Sequence, residues 1–233
     1  MATAEPVVRM RWHDLLFIHW RVDADRLRRR VPAELDLDLH EGRAYVALVP
    51  FEMRSTRFRG MPDLASLRQF PECNVRTYVR HRGVPGVWFF SLDAASLLPV
   101  VGARVAWSLP YVWSRITIDR QGDETRYDLR RVAGGGRARI RWRRGAALPE
   151  SRPGTLEHFL TERYALFARR RGRILRSRVA HAPWPLRRAE LLDLDETLIE
   201  AAGLRGEGAP HLLASDGIDV DGWALGPSDG AEP

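Results

Sequence analysis

Short runs in which apolar and polar residues alternate dominate the first 145 residues of the chain. This period of two is typical of β-strands, because successive side chains of a strand point to opposite faces of the sheet. Clusters of glycine, proline and acidic residues separate the runs and predict turns. Residues 35–40 and 44–53 are predicted to form a hairpin across Glu41-Gly42, and the last three runs a meander. The predicted strands are residues 15–22, 35–40, 44–53, 74–79, 87–93, 110–119, 125–132 and 136–143.

Helical signals are few, and they predict short helices at the periphery of a mainly β fold. Asp23 or Asp25 is expected to cap the first helix and Asp195 the last, which Gly203 ends. The pattern favours an antiparallel sheet system, closed or sandwiched, in one compact domain. The predicted helices are residues 23–30, 155–168 and 195–202, with a further candidate at 94–101 that Pro99 weakens.

Composition limits the class of protein. No apolar run approaches the roughly 20 residues that a membrane-spanning helix needs, and residues 1–11 lack the pattern of a secretory signal. The single cysteine, Cys73, excludes an internal disulfide framework. We therefore expect a cytoplasmic protein with no membrane segment, in which residues 1–9 and 226–233 are flexible ends.

The net charge of +7 raises the question of nucleic-acid binding. Residues 137–143 carry an arginine at every second position, and residues 169–178 hold a second arginine cluster after a predicted helix. Such charge is more often a solvated sheet face or a helix end, where cations favour the terminal carbonyl groups. Because no nucleic-acid-reading motif or zinc-ligand spacing accompanies these arginines, the sequence disfavours a nucleic-acid partner.

The most suggestive polar residues lie on the fourth predicted strand. Alternation places Glu72, Asn74, Arg76 and Tyr78 on one face, and Cys73 with aliphatic residues on the other. A carboxylate, an amide, a guanidinium and a phenol in one row could line an interior pocket and orient an anionic or carbonyl ligand. The alternative is a solvated outer face, which antiparallel sheets commonly have, and the pattern alone favours it.

Other polar residues interrupt apolar strands, among them His19, Ser91 and Tyr111. A lone histidine in such a setting is usually structural, although imidazole suits acid–base catalysis. No nucleophile elbow, phosphate-binding loop or metal-ligand pair is present. Cys73 is expected to point into apolar packing, where a thiol is unreactive. The sequence therefore predicts neither a metal ion nor a cofactor.

The chain contains no lysine, so all 37 of its lysine-plus-arginine residues are arginine. Arginine stays protonated at any working pH and is a poor nucleophile. Whatever the cause of this composition, no lysine side chain of the protein can form a Schiff base.

Several segments together resemble an uncharacterised bacterial family, domain of unknown function 2071, often called YqjF-like. The resemblance covers residues 10–225 as one domain and departs at Cys73, where an aliphatic residue is more usual. The segments are residues 12–20 (WHDLLFIHW), 72–79 (ECNVRTYV), 86–94 (GVWFFSLDA), 103–111 (ARVAWSLPY), 181–186 (HAPWPL) and 200–204 (EAAGL).

That family is similar in turn to the acetoacetate decarboxylase superfamily, which implies a mainly antiparallel, barrel-like β fold around an internal pocket. In the decarboxylases a catalytic lysine follows a proline, and the matching position in this sequence is Tyr111. Glu72 and Arg76 are the suggested counterparts of the acid and the arginine of that pocket. The resemblance thus favours an inward-facing Glu72 row, and the missing lysine implies that Schiff-base decarboxylation is not retained.

The resulting hypothesis is an interior site for a small, oxo-acid-like ligand, with acid–base chemistry such as enolisation, dehydration, cyclisation or metal-free hydrolysis. Arg76 would hold a carboxylate or enolate, Glu72 would move a proton, and Tyr111 would donate to a carbonyl oxygen. The alternative is a non-catalytic binding module with the same pocket, and sheet edges and eight tryptophans leave homo-oligomer formation open. The residues expected to contact the substrate besides these are Asn74, Tyr78, His19, Ser91 and Arg104.

Overall fold

The structure, a computed structural model, describes residues 5–60, 68–96 and 108–228. The strands in these ranges are β1 Val8–Val22, β2 Asp36–Leu37, β3 Ala44–Phe58, β4 Gln69–His81, β5 Val84–Ala94, β6 Tyr111–Gln121, β7 Glu124–Arg131, β8 Arg137–Ala147, β9 Ala165–Arg170, β10 Arg173–Ala180, β11 Leu186–Glu196, β12 Glu207–Gly222 and β13 Gly226–Pro227. The helices are α1 Ala24–Arg28, α2 Leu156–Thr161 and α3 Leu198–Ala201. None of these helices has the length and apolar character needed to cross a membrane.

Strand pairing closes the sheet into two rings that share one wall. The first ring runs β4-β5-β6-β7-β8-β11-β12-β1-β3 and returns to β4. The second ring runs β5-β9-β10-β12-β1-β3-β4 and returns to β5. The shared wall therefore consists of β12, β1, β3, β4 and β5. Most neighbours are antiparallel, whereas β5 pairs in parallel with both β6 and β9. The predicted mainly antiparallel β class is confirmed.

Within the shared wall, the central parts of β1, β3 and β4 are buried on both faces, because each ring encloses one face. On β1, Leu16 and Ile18 pack into a large apolar cluster that also contains residues of β7 and β8. Leu15 and Phe17, on the opposite face, pack into a second cluster with residues of β10 and β12. Residues 44–53 of β3 are accordingly buried without interruption. A polar row on either face of this part of the wall therefore lies inside a ring and not at the surface.

The meander predicted at residues 110–143 is confirmed as β6, β7 and β8. The alternating arginines of β8 are exposed and the residues between them are buried, so this face is the solvated surface that the alternation favours. Arg143, for example, donates to Glu190 at 2.9 Å and also to Glu124.

The turn predicted across Glu41-Gly42 is present, since His40 and Arg43 form an antiparallel bridge. The longer hairpin is wrong, because β2 pairs with β4 instead of β3. Asp36 lies opposite Arg80 in this pairing. The physical reason is the carboxylate of the buried Asp38, which accepts hydrogen bonds from Arg80 at 2.7 Å and Arg163 at 2.5 Å. These ion pairs hold the segment along β4.

The helix predicted at residues 155–168 is correct only in its first half, since α2 ends at Thr161. Residues Ala165–Arg170 form β9 and continue into a hairpin with β10. The arginine cluster at 169–178 therefore belongs to this hairpin and not to a helix end. Leu166 and Phe167 pack on opposite sides of β9. A short apolar run of this kind fits both the helical and the strand period of side chains. Here the pairing with β5 stabilises the strand.

The helix predicted at residues 23–30 is confirmed as α1, with the carboxylate of Asp23 accepting from the backbone N–H of Arg26 at 2.6 Å. The candidate helix at 94–101 falls mostly at residues 97–101, which lie outside the described residues. Ala94 itself is the last residue of β5.

The last predicted helix begins later than expected. Asp195 is not its cap, because this residue lies in β11 and accepts from Arg137 at 3.0 Å. The carboxylate of Glu196 instead accepts from the backbone N–H groups of Leu198 and Ile199 at 2.6 and 3.0 Å. Gly203 follows the helix with a φ of 77°, as predicted for its end.

Both ends predicted to be flexible contain strand residues. Val8 and Arg9 pair with β3, and Gly226 and Pro227 pair with β10. The outermost residues, 1–4 and 229–233, lie outside the described residues.

Candidate functional site

The polar row of β4 lies in the interior of the second ring. Glu72, Asn74, Arg76 and Tyr78 have exposed fractions of only 3%, 5%, 7% and 1%. Glu72 lies opposite Phe51 and Asn74 opposite Val49 on β3, and both of these β3 residues belong to the second apolar cluster. The row is therefore an interior polar strip and not a solvated face.

Glu72 is paired with Tyr111, the first residue of β6. Tyr111 lies in register with Leu92, which in turn lies opposite Asn74, so the parallel β5–β6 pair brings the phenol to the Glu72 end of the row. The Tyr111 hydroxyl donates to Oε2 of Glu72 at 3.2 Å. Burial raises the pKa of Glu72 to about 8, with Asp93 adding a smaller increase and the Tyr111 hydrogen bond opposing it. Glu72 is therefore mostly a neutral carboxylic acid at neutral pH.

Arg76 is a buried cation without a carboxylate partner among the described residues. Its Nη2 donates to the carbonyl oxygen of Leu160 at a long 3.4 Å, and its Nε has no hydrogen-bond partner. The Cζ atom lies 5.7 Å from the ring centre of Phe17 and 6.0 Å from that of Tyr78. Because a guanidinium cannot lose its proton in a protein, this buried charge lacks the ion pair that such a group normally has.

Helix α2 closes one end of the strip with a backbone acceptor. The Tyr78 hydroxyl donates to the carbonyl oxygen of Leu160 at 3.0 Å, the same oxygen that faces Arg76. Carbonyl groups in the last turn of a helix have no partner within the helix, so α2 presents this acceptor for geometric reasons. Burial raises the pKa of Tyr78, and the phenol stays protonated.

His19 of β1 reaches the same strip from the other side of β3. His19 lies opposite Ala47, and Ala47 lies opposite Arg76, so the small alanine separates the two longer side chains. Neither ring nitrogen of His19 makes a hydrogen bond of normal geometry, and the side chain is 1% exposed. Burial and the charge of Arg76 lower the pKa of His19 well below its usual range, although the backbone of His211 opposes this change. The imidazole is neutral at neutral pH.

Two of the sequence-predicted contact residues are not brought to the strip. Ser91 lies opposite Val75 on the other face of the wall, where it donates to Asp93 at 2.9 Å. Arg131 fixes this pair, since it donates to both oxygens of Asp93 at 2.7 and 2.9 Å. Arg104 lies outside the described residues.

Cys73 also faces away from the strip. It is fully buried in the large cluster of the first ring, opposite Asp93. Burial and the nearby Asp93 raise the pKa of the thiol well above its usual range. Within the described residues, no group of three or more His, Cys, Asp or Glu side chains could hold a metal ion.

Sequence reasoning missed three groups around the strip. Phe17 lies beneath the guanidinium of Arg76, Leu160 supplies its carbonyl oxygen, and His211 lies opposite His19 on β12. The alternation of β1 places Phe17 on the same face as His19 and could have identified it. No local pattern could have found Leu160 or His211, because they approach through pairings between distant parts of the chain.

Two comparisons with known sequences indicate the same protein family. The family described as an uncharacterized conserved protein, domain of unknown function 2071, matches residues 9–219. The chain is 36% identical over 221 residues to the uncharacterized protein YqjF of Bacillus subtilis (strain 168), covering 94% of this chain and 91% of that protein.

Solved structures with low sequence identity share the fold. The enduracididine biosynthesis enzyme MppR, with HEPES buffer bound, superposes with a TM-score of 0.67 at 14% identity over 97% of this chain and 87% of that one. A second MppR structure, in complex with pyruvate, gives a TM-score of 0.64 at 14% identity over 96% and 90%. The acetoacetate decarboxylase of Legionella pneumophila gives a TM-score of 0.66 at 14% identity over 98% and 91%. The chain therefore belongs to the domain of unknown function 2071 family, and its fold is that of the acetoacetate decarboxylase-like proteins.

Proposed function

We propose that the strip inside the second ring binds a small carboxylate-bearing metabolite of oxo-acid type and catalyses proton transfer on it. In this proposal Arg76 holds the carboxylate, Glu72 moves the proton, and Tyr111 stabilises the oxygen on which charge develops. The reaction class is enolisation, which is also the first step of many dehydrations and cyclisations. Asn74, Tyr78 and His19 complete the binding surface. Ser91 is too tightly held by Asp93 and Arg131 to contribute directly.

The single observation that carries the proposal is the state of Arg76. A buried guanidinium with one long hydrogen bond and no carboxylate within ion-pair distance in the described residues is costly for the folded protein. A ligand carboxylate would remove that cost by supplying two acceptor oxygens in the fork geometry that arginine prefers. An anionic ligand is therefore the chemistry that this site lacks.

Glu72 and Tyr111 suit the proton transfer. In the ionised form, Glu72 takes the α-proton of the ligand, the C–H electron pair forms the C=C bond, and the carbonyl π pair moves to oxygen. The phenol of Tyr111 then donates a hydrogen bond to that oxygen. A pKa near 8 places Glu72 close to the operating pH, where a general base or acid is most effective.

The chemistry does not use an imine with a side-chain amine, because the chain has no lysine. The pyruvate complex of MppR supports an oxo acid as the ligand class, although this chain must act on such a ligand by a different route. Polarisation of the carbonyl by Tyr111 replaces electron withdrawal by an iminium group.

The proposal is tested by α-proton exchange in deuterated water, followed by NMR on a panel of small 2-oxo and 3-oxo acids. We expect exchange by the wild-type protein at a rate that rises with pH through about 8, because the base form of Glu72 accumulates there. Glu72→Gln should lower the rate by about 100-fold or more. Arg76→Met should weaken binding of the acids. Glu190→Gln, at an exposed position of β11, is the matched control and should leave the rate unchanged.

Equal exchange in wild type and Glu72→Gln would reject the catalytic role of Glu72. The non-catalytic binding module remains the defined alternative. It is supported if the acids raise the thermal unfolding temperature of the protein, and do so less for Arg76→Met, while no exchange occurs.

A further inference from the structure

We propose that His19 and Asn74 form a second polar subsite that recognises a hydroxyl group on the carboxylate ligand, so that oxo acids that also carry a hydroxyl group are the preferred ligands. This inference rests on the proposed function, because it places the ligand carboxylate at Arg76. It extends that function by naming a second functional group of the ligand.

Three buried polar atoms near Arg76 are left without good hydrogen bonds. Both ring nitrogens of His19 and Oδ1 of Asn74 are buried, and none of them makes a hydrogen bond of normal geometry with the described residues. The two side chains have exposed fractions of 1% and 5%. A buried polar group left without a partner destabilises the folded protein, so such a group points to a partner outside the described residues, here a ligand.

The position of these atoms relative to Arg76 follows from the strand pairing. His19 and Arg76 lie on β1 and β4 at the same level of the wall, with only Ala47 between them. Neighbouring strands are about 4.8 Å apart, so the backbones of His19 and Arg76 are separated by about 10 Å. The methyl group of Ala47 fills little of this gap. Asn74 is two residues from Arg76 on the same face of β4. A ligand held by Arg76 would therefore present its next few carbon atoms to His19 and Asn74.

The donors and acceptors of this subsite favour a hydroxyl group over other polar groups. A neutral imidazole offers one donor and one acceptor, and the amide oxygen of Asn74 offers a further acceptor. A hydroxyl group both donates and accepts, so it can satisfy this set. A ligand ammonium group would face the charge of Arg76, and a second carboxylate would meet two acceptors. The stacked rings of Phe17 and His19, 6.1 Å apart, leave an apolar surface for the carbon chain between the two polar groups.

The experiment compares matched ligands that differ only by the hydroxyl group. Dissociation constants of butyrate, both enantiomers of 3-hydroxybutyrate, and 4-hydroxybutyrate are measured by isothermal titration calorimetry with the full-length protein. We expect at least one hydroxy acid to bind about tenfold more tightly than butyrate, as one to two good hydrogen bonds would give. His19→Phe should reduce this ratio to about one. His19→Gln, which keeps a neutral donor and acceptor, should retain part of the preference.

His81→Phe is the matched control, because His81 lies at the far end of β4, where its Nδ1 contacts the backbone of Glu34 at 2.9 Å. It should leave the preference unchanged. The proposal is overturned if wild-type protein shows no preference for any hydroxy acid, or if the preference survives in His19→Phe. If His19→Phe does not fold, loss of the preference in Asn74→Leu replaces it as the test. Failure of the proposed function looks different: butyrate binding would then be insensitive to Arg76→Met.

Discussion

Glu72 shows how much of the behaviour of a residue depends on its surroundings. Its carboxyl group is buried, and its hydrogen-bond partner is a phenol instead of a cation. Desolvation therefore outweighs the hydrogen bond, and the pKa rises to about 8. The same carboxyl group on a solvated sheet face would titrate near its ordinary value of 4.5.

This raised pKa makes the stability of the protein depend on pH. Above about 4.5 the unfolded chain loses the Glu72 proton, while the folded protein keeps it until about pH 8. The free energy of unfolding should therefore fall across this window by up to about 1.4 kcal/mol per pH unit. Glu72→Gln removes the effect, so its stability relative to wild type should grow by roughly 3–4 kcal/mol between about pH 5 and about pH 8.

Urea unfolding of both proteins at the two pH values measures this difference. The same replacement at the exposed Glu190 should change stability by less than about 1 kcal/mol at either pH. A constant difference between Glu72→Gln and wild type would mean that Glu72 is ionised in the folded protein.

At the scale of single residues, the sequence predicted the strip but not all of its neighbours. Period-two alternation placed Glu72, Asn74 and Arg76 on one face, because β4 is regular through these positions. Ser91 could not be placed in the same way. Its face relative to Glu72 depends on the β4–β5 register, which shifts between Val75 and Arg76. Such a shift leaves no signal in the local pattern.

Among the elements, β9 is the segment where sequence and structure differ most. Residues 155–168 have helical spacing of apolar side chains, yet the chain leaves the helix after Thr161 and pairs with β5. The pairing depends on Gly86 of β5, which permits close approach of the two strands. A Cβ atom at position 86 would lie 2.6 Å from the carbonyl oxygen of Ala165 and 2.7 Å from the ring of Phe167. The sequence contains this glycine, but no local pattern in it indicates that β9 packs against the glycine.

Gly86→Ala should therefore destabilise the protein by about 1–3 kcal/mol, because neither backbone nor aromatic ring can move without disturbing packing. Gly226→Ala is the control, since a Cβ atom there would meet nothing within 4 Å and its φ is not in the left-handed region. Guanidinium unfolding of the two variants measures the difference. Equal stabilities would mean that β9 is free to shift away from β5.

For the molecule as a whole, a lysine-free chain adopts a fold that solved acetoacetate decarboxylase-like proteins share. Fold and imine chemistry are thus separable, and fold alone is weak evidence for a reaction. Alternation, turns and the resemblance predicted the β class. Closure into two rings with a shared wall was not predictable, because it depends on the parallel pairs β5–β6 and β5–β9 between distant segments.

Incubation with pyruvate and borohydride should leave no covalent adduct on any side chain of the protein. Reductive trapping requires an amine that forms an imine, and the α-amino group is the only primary amine of a lysine-free chain. Intact-mass and peptide mass spectrometry locate any adduct. A reduced adduct beyond the first residue would contradict the proposed route, and an acetoacetate decarboxylase treated in parallel serves as the positive control.

The two edge strands of the sheet are each only two residues long in the part of the chain that the structure describes. β2 ends the sheet with Asp36 and Leu37, and β13 ends it with Gly226 and Pro227, whose proline has no N–H to offer. Another chain thus finds little free backbone on these two edge strands with which to pair. Fibril growth and strand exchange should therefore not begin at β2 or β13.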